Sequence, residues 1–170
     1  QGIETFITTN GTRIGPEDWA VLNRVRHLTG LGFSLDGIGA VHDAIRGEDT
    51  YEAIVANVRR ALLNQRVYIS FVMMESNIGQ IPEFIKTVTA LGIKEIGFVH
   101  EMYCLTGDVE ATRRRLGWNG QDDIMMTVKE HDWKPDSVRQ LFDTLATIPA
   151  LERRHGFVAA FEPPLPAETL

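Results

Sequence analysis

Strand-like and helix-like patterns alternate along most of this chain, and that alternation constrains its fold more than any other feature. Ile3 to Thr8 is β-branched and aromatic and is punctuated by Asn10-Gly11. Pro16 to Leu28 carries Trp19, Leu22, Val25 and Leu28 at helical spacing, with the proline suited to a first turn. Leu31 to Leu35 reads as a short buried strand. After a polar loop, Thr50 to Asn64 is predicted as a helix with Thr50 as its cap and Ile54, Val58, Ala61 and Leu62 inside. Arg66 to Met74 is the next strand, Ile81 to Leu91 the next helix with Gly92 as its stop, and Glu95 to His100 a fourth strand. A charged segment, Val109 to Leu116, then leads into Gly117 to Trp133, whose pattern assigns no element. Asp136 to Arg154 is a helix interrupted near Pro149, and Phe157 to Phe161 a last strand. Strands alternating with helices of about a dozen residues call for right-handed βαβ units and a parallel sheet. The predicted class is α/β, in one domain over 1–170, with 105–170 a less regular extension.

Each of the first four strands ends in polar or glycine-bearing residues: Thr9-Asn10-Gly11, Asp36-Gly37, Glu75-Ser76-Asn77, and Glu101 with Tyr103 and Cys104. Ligands of parallel sheets bind at that end of the strands. Any one of these segments is also ordinary loop chemistry; four in succession place a site there with even weight.

Charge and cysteine content narrow the chemistry. The net charge of -6 argues against a nucleic-acid surface, which needs lysines and arginines to neutralise phosphates. The run Arg113-Arg114-Arg115 reads as a solvated helix face. No apolar stretch is long enough for a membrane span, and no secretory signal pattern opens the chain, so no membrane partner is expected. A single cysteine, Cys104, excludes an internal disulfide, suits a reducing cytoplasm, and excludes any site built from several thiolates of this chain.

Three segments in order carry a family resemblance: Thr8-Thr9-Asn10-Gly11-Thr12, Phe33-Ser34-Leu35-Asp36-Gly37, and His42-Asp43-Ala44-Ile45-Arg46-Gly47. Together they resemble the radical S-adenosylmethionine superfamily, especially its peptide-modifying and sulfatase-maturase-like members. Val67 to Met74 followed by Glu75-Ser76-Asn77, and Leu91 to Phe98, extend the match to about Tyr103. The resemblance implies a partial (βα) barrel of about five strands. It also implies a 4Fe-4S cluster on which S-adenosylmethionine is cleaved to a 5'-deoxyadenosyl radical. The family's Cys-x3-Cys-x2-Cys loop is absent, because only Gln1 and Gly2 precede the first strand. The expectation is a fragment, inactive alone, that keeps part of the cofactor pocket and has an exposed edge strand prone to self-association.

Ser34 and Asp36 are two apart, so on a strand both side chains share a face, as do those of Thr8 and Asn10. The resemblance implies that Ser34 and one of Thr8 and Asn10 approach S-adenosylmethionine, with Asp36 beside them. For Asp36 the competing role is to brace its loop, and for Asn10 to form an Asn-Gly turn. Arg46 suits a bidentate contact with a carboxylate or, equally, a salt bridge to Asp43, Glu48 or Asp49. His42 reads as a loop brace. Glu75, Asn77, His100, Glu101 and Tyr103 are candidates for a substrate mouth, the substrate being a peptide or derived from a protein. Two other functions stay open: a non-catalytic barrel serving as a binding module, and an unrelated barrel enzyme. The second would need a lysine or a metal-ligand set at the strand ends, and Lys94 instead begins its strand.

Overall fold

The computed structural model describes residues 2–117, 127–130 and 132–164. Its elements run β1 (Thr5–Thr9), α1 (Pro16–Leu22), β2 (Leu28–Ser34), α2 (Ala40–Arg46), α3 (Thr50–Ala61), β3 (Val67–Met73), a 3-10 turn (Ile78–Gln80), α4 (Ile81–Ala90) and β4 (Glu95–His100). They continue as β5 (Tyr103–Leu105), α5 (Thr106–Leu116), β6 (Thr127–Lys129), α6 (Pro135–His155) and β7 (Val158–Glu162). Five strands form one sheet in the order β1-β2-β3-β4-β7, with every adjacent pair parallel. The sheet is open, with β1 and β7 at its edges, as in part of a (βα) barrel. A separate parallel pair, β5 and β6, stands beyond the end of β4.

One face of the sheet is packed and the other is not. Leu31, Phe33, Ile69, Phe71, Ile96 and Phe98 project to the packed face and are essentially inaccessible. They meet Ile54, Val58, Phe84, Ile85, Leu145 and Ile148 from α3, α4 and α6 in a single core. Strand residues alternate between faces, so register places Phe6, Thr8, Gly32, Ser34, Tyr68, Ser70, Val72 and Gly97 together on the opposite face. No large apolar side chain comparable to the core's Phe71 lies on that side of β3, whose residues alternate buried and half-buried.

Phe6 and Tyr68 meet edge to face at 6.3 Å over the N-terminal half of this open face, each above a glycine. A Cβ on Gly97 would fall 1.5 Å from the Tyr68 hydroxyl. Gly97→Ala is therefore expected to expel the tyrosine ring and cost about 1 kcal/mol. Adding Tyr68→Ser should recover most of that loss in a thermal-unfolding double-mutant cycle.

Several sequence expectations require correction. The helix expected over 16–28 stops at Leu22, and Leu28 opens β2. Within the expected polar loop lies α2, whose buried residue is the polar His42. The charged segment after Cys104 is helical from Thr106, with no described buried residue. Pro149 does not interrupt α6; Leu141, Leu145 and Ile148 pack that helix against the core strongly enough to carry the missing amide. Thr50 is not the cap of α3: Asp49 holds that position, and the Thr50 hydroxyl donates to the Gly47 carbonyl at 2.7 Å. Gly92, at φ 101, does end α4 in the left-handed conformation expected of it. Most of the unassigned stretch, residues 118–126 and 131, lies outside the described residues.

Candidate cofactor site at the strand ends

The C-terminal ends of β2, β3 and β4 meet around Asp36, which is completely buried. A buried carboxylate has to be paired or hydrogen-bonded, and every polar group of this residue is engaged. One carboxylate oxygen accepts from the Val72 amide at 2.8 Å, and the other pairs with the Arg46 guanidinium. The Asp36 amide donates to His42 Nδ1 at 3.0 Å, and its carbonyl accepts from Asn77 Nδ2 at 2.9 Å. Asn77, equally buried, also donates to the Val72 carbonyl and accepts from the Met74 amide, both at 2.8 Å. Asp43 completes the brace by accepting from the Tyr51 amide at 2.8 Å, satisfying a donor in the first turn of α3. His42, Asp43 and Arg46 thus each fasten α2 to its surroundings, two of them through Asp36.

His42 is locked as a neutral ring. Its Nδ1 accepts a hydrogen bond, so the proton sits on Nε2, which is buried without an acceptor among the described residues. Burial, reinforced by the nearby Arg46 charge, holds its pKa below the ordinary 6.5 against the opposing pull of Asp36 and Asp43. The unfolded chain therefore binds this proton more readily. Stability should be fully present above pH 6.5 and decline as pH falls through 6.5 towards the lower folded-state value. Urea titrations across that window should show the decline. His42→Asn, which keeps an acceptor for the Asp36 amide but cannot titrate, should flatten it; an unchanged slope would assign the decline to other groups.

Arg46 bonds to Asp36 through Nε, and its side chain stays 36% exposed. Its terminal nitrogens have no partner among the described residues. They border a cleft of about 490 Å3 whose wall also includes Val72, Val99, His100 and Glu101. The hydroxyls of Ser34 and Ser70, register partners on β2 and β3, also have no partner among the described residues, as is true of that of Thr8. A planar cation at the strand ends and three hydroxyls on the open face of neighbouring strands are donor types suited to a ligand with a carboxylate and a polyhydroxylated ring.

The other candidates divide. Asn10 accepts from both the amide and the hydroxyl of Thr12 (3.4 and 3.3 Å), which is the Asn-Gly turn role. Asn77 is a brace. Glu75 is drawn to α6: it accepts from the Lys134 amide at 2.8 Å, and this bond with one from Ser137 lowers its pKa. Arg46 pairs with Asp36 and with none of the three acids expected for it. Glu101 lines the cleft but is paired with Lys129, whose ammonium also lies 4.6 Å from the Tyr103 ring. His100 Nδ1 donates to the Glu101 carbonyl (2.9 Å), and the ring stacks on Trp133. Sequence reasoning missed Ser70, Lys129, Asp132 and Trp133. Ser70 was detectable as the open-face alternate of a buried strand, whereas the other three lie in or beside the stretch without periodicity.

An iron–sulfur cluster does not fit these residues. Cys104 is the only cysteine, and no group of three or more His, Cys, Asp or Glu side chains among the described residues is arranged to hold a metal.

No family model matches the chain. Over 80 residues, 46% of its length, it is 35% identical to pre-heme d1 synthase of Dinoroseobacter shibae. Crystal structures of Streptococcus suis SuiB, one of them bound to S-adenosylmethionine, align with 94% of the chain at TM-scores of 0.60 and 0.61 and 13% identity. At that identity the likeness is one of fold. These neighbours are radical S-adenosylmethionine enzymes, the group that the motif order resembles. The chain spans 20% of the length of the synthase and 32% of the SuiB chain.

Proposed function

We propose that this chain forms part of a radical S-adenosylmethionine enzyme domain and contributes one side of the nucleoside-binding pocket. The thiolates for its 4Fe-4S cluster would come from residues outside this chain. The observation that carries the reading is the open sheet face, which bears the hydroxyls of Thr8, Ser34 and Ser70 without partners among the described residues, together with the Arg46 guanidinium bordering the cleft at the strand ends. Bound there, S-adenosylmethionine supplies the enzyme's radical chemistry. The chain's own task is positioning: Arg46 takes the ligand carboxylate, the hydroxyls take the ribose, and the Phe6–Tyr68 pair limits how deep the ligand enters. The strand-end cleft beside His100 and Glu101 receives the substrate, a peptide or protein-derived molecule.

Two measurements test this. Titration with S-adenosylhomocysteine should shift the backbone amides of Thr8, Ser34, Ser70 and Arg46 together; shifts confined to other regions would reject the pocket. Anaerobic iron–sulfide reconstitution should yield no stable four-iron cluster, and a cluster with cleavage activity would refute the division of labour.

The lack of cluster ligands also favours a second reading, a non-catalytic barrel used as a binding module. An in-frame cysteine triad upstream in the coding sequence separates the two in favour of the enzyme. In either case β1 presents an unpaired edge that takes another strand in a larger domain and drives self-association of the isolated chain. No helix among the described residues is long and apolar enough to cross a membrane. A cytoplasmic location belongs to this proposal, since a thiolate-bound cluster requires a reducing compartment.

A further inference from the structure

A second cavity lies on the packed side of the sheet, between the C-terminal ends of β4 and β7 and the N-terminal half of α6. Its volume is about 320 Å3, the space of about ten water molecules and hence of a ligand with about as many non-hydrogen atoms. The interior is apolar: Phe98 and Phe161 from the sheet, and Val138 and Leu145 from the helix. Binding sites of this kind pair an apolar body with a few fixed polar groups. Asp132 and His100 line the cavity, whereas strand alternation turns the Glu162 carboxylate to the open face beside Tyr68 and Ser70, so Asp132 is the acid that faces the cavity among the described residues.

The aromatic wall is equally selective. Tyr103 and Trp133 both line the cavity, and the chain's own Lys129 ammonium already rests 4.6 Å from the first ring and 5.8 Å from the second. Ring faces that hold one ammonium are suited to others. Asp132 is held in place, since one carboxylate oxygen accepts from the Tyr103 hydroxyl and from the Trp133 amide. Its second oxygen has no partner among the described residues. Those hydrogen bonds keep its pKa below the ordinary value, so the carboxylate is charged at neutral pH. The Trp133 indole N–H is buried and has no acceptor among the described residues, a deficiency that folded proteins rarely leave uncompensated.

We propose that this cavity binds an amphipathic organic cation, with a flat apolar body between the sheet and α6 and an ammonium group against the second carboxylate oxygen of Asp132. The site is separate from the strand-end hydroxyls and does not depend on the cofactor reading.

Tryptamine is the probe, with indole-3-acetate as a same-shaped anion, both titrated into the full chain by calorimetry without S-adenosylmethionine. Tryptamine should saturate a single site, and the acid should bind at least tenfold more weakly. Asp132→Asn keeps the acceptor for Tyr103 and should weaken tryptamine at least fivefold. Val138→Trp should abolish binding by filling the cavity. Phe142→Ala, at a cavity residue already 51% exposed, gives the same reading without a buried substitution and should weaken binding. Equal binding of amine and acid, no saturation by tryptamine, or tryptamine affinity unchanged in Asp132→Asn and Phe142→Ala would each overturn the proposal. Loss of S-adenosylhomocysteine binding alone would leave it standing.

Discussion

Arg46→Met is expected to lower the free energy of unfolding by about 2–3 kcal/mol. The substitution leaves the Asp36 carboxylate, fully buried, with the Val72 amide as its remaining donor. Removing one partner of a buried pair costs about 3–5 kcal/mol; the lower figure applies because the arginine side of this pair is 36% exposed. Urea unfolding should show the loss as a reduced midpoint at constant slope. Arg46→Lys separates structure from recognition. A lysine reaching Asp36 retains most of the stability but lacks the planar fork, so S-adenosylhomocysteine affinity should fall at least tenfold while the midpoint moves little. If the two quantities fall together in Arg46→Lys, Arg46 is a brace and not a ligand contact.

The second large effect lies in the core. Phe71 is inaccessible and packs between Phe84, with ring centroids 4.6 Å apart, and Phe98 at 5.9 Å. It joins the sheet to α4, and nothing smaller fills that space without repacking both neighbours. Phe71→Ala should cost about 3–5 kcal/mol, while Phe71→Leu should cost markedly less because most of the volume is kept. Thermal unfolding of the two variants checks the ranking. Similar losses would mean that the cavity collapses around alanine.

The parallel sheet was legible because its strands are short β-branched runs separated by amphipathic helices, and in α4 the stripe Ile81, Phe84, Ile85 and Val88 matches the buried set. The errors have identifiable causes. In α2 the residue turned inward is a histidine whose burial is satisfied by a backbone amide, so the apolar period that marks a helix is absent. In α5 nothing among the described residues is buried, so there was no stripe to find. Pro149 is a helix breaker by intrinsic preference, and tertiary packing overrides it. For the site, the order of motifs pointed to the strand ends, and Asp36 there is buried and paired with Arg46. What could not be read was which acid Arg46 meets. Asp36 lies ten residues away along the chain, and only the return of α2 over the end of β2 brings the two together. Lys129, Asp132 and Trp133 stayed hidden for the opposite reason, since they come from a stretch with no regular period at all.

The one-sided packing of β3 has an evolutionary corollary. Ile69, Phe71 and Met73 answer to the core, while Tyr68, Ser70 and Val72 answer to whatever occupies the open face. Selection for folding and selection for chemistry therefore act on interleaved letters of one heptapeptide. A saturation library across Val67–Met73, scored once for abundance and once for ligand capture, should give two sensitivity profiles out of phase by a single residue. Such a strand is free to vary at even positions while the odd positions hold the fold in place.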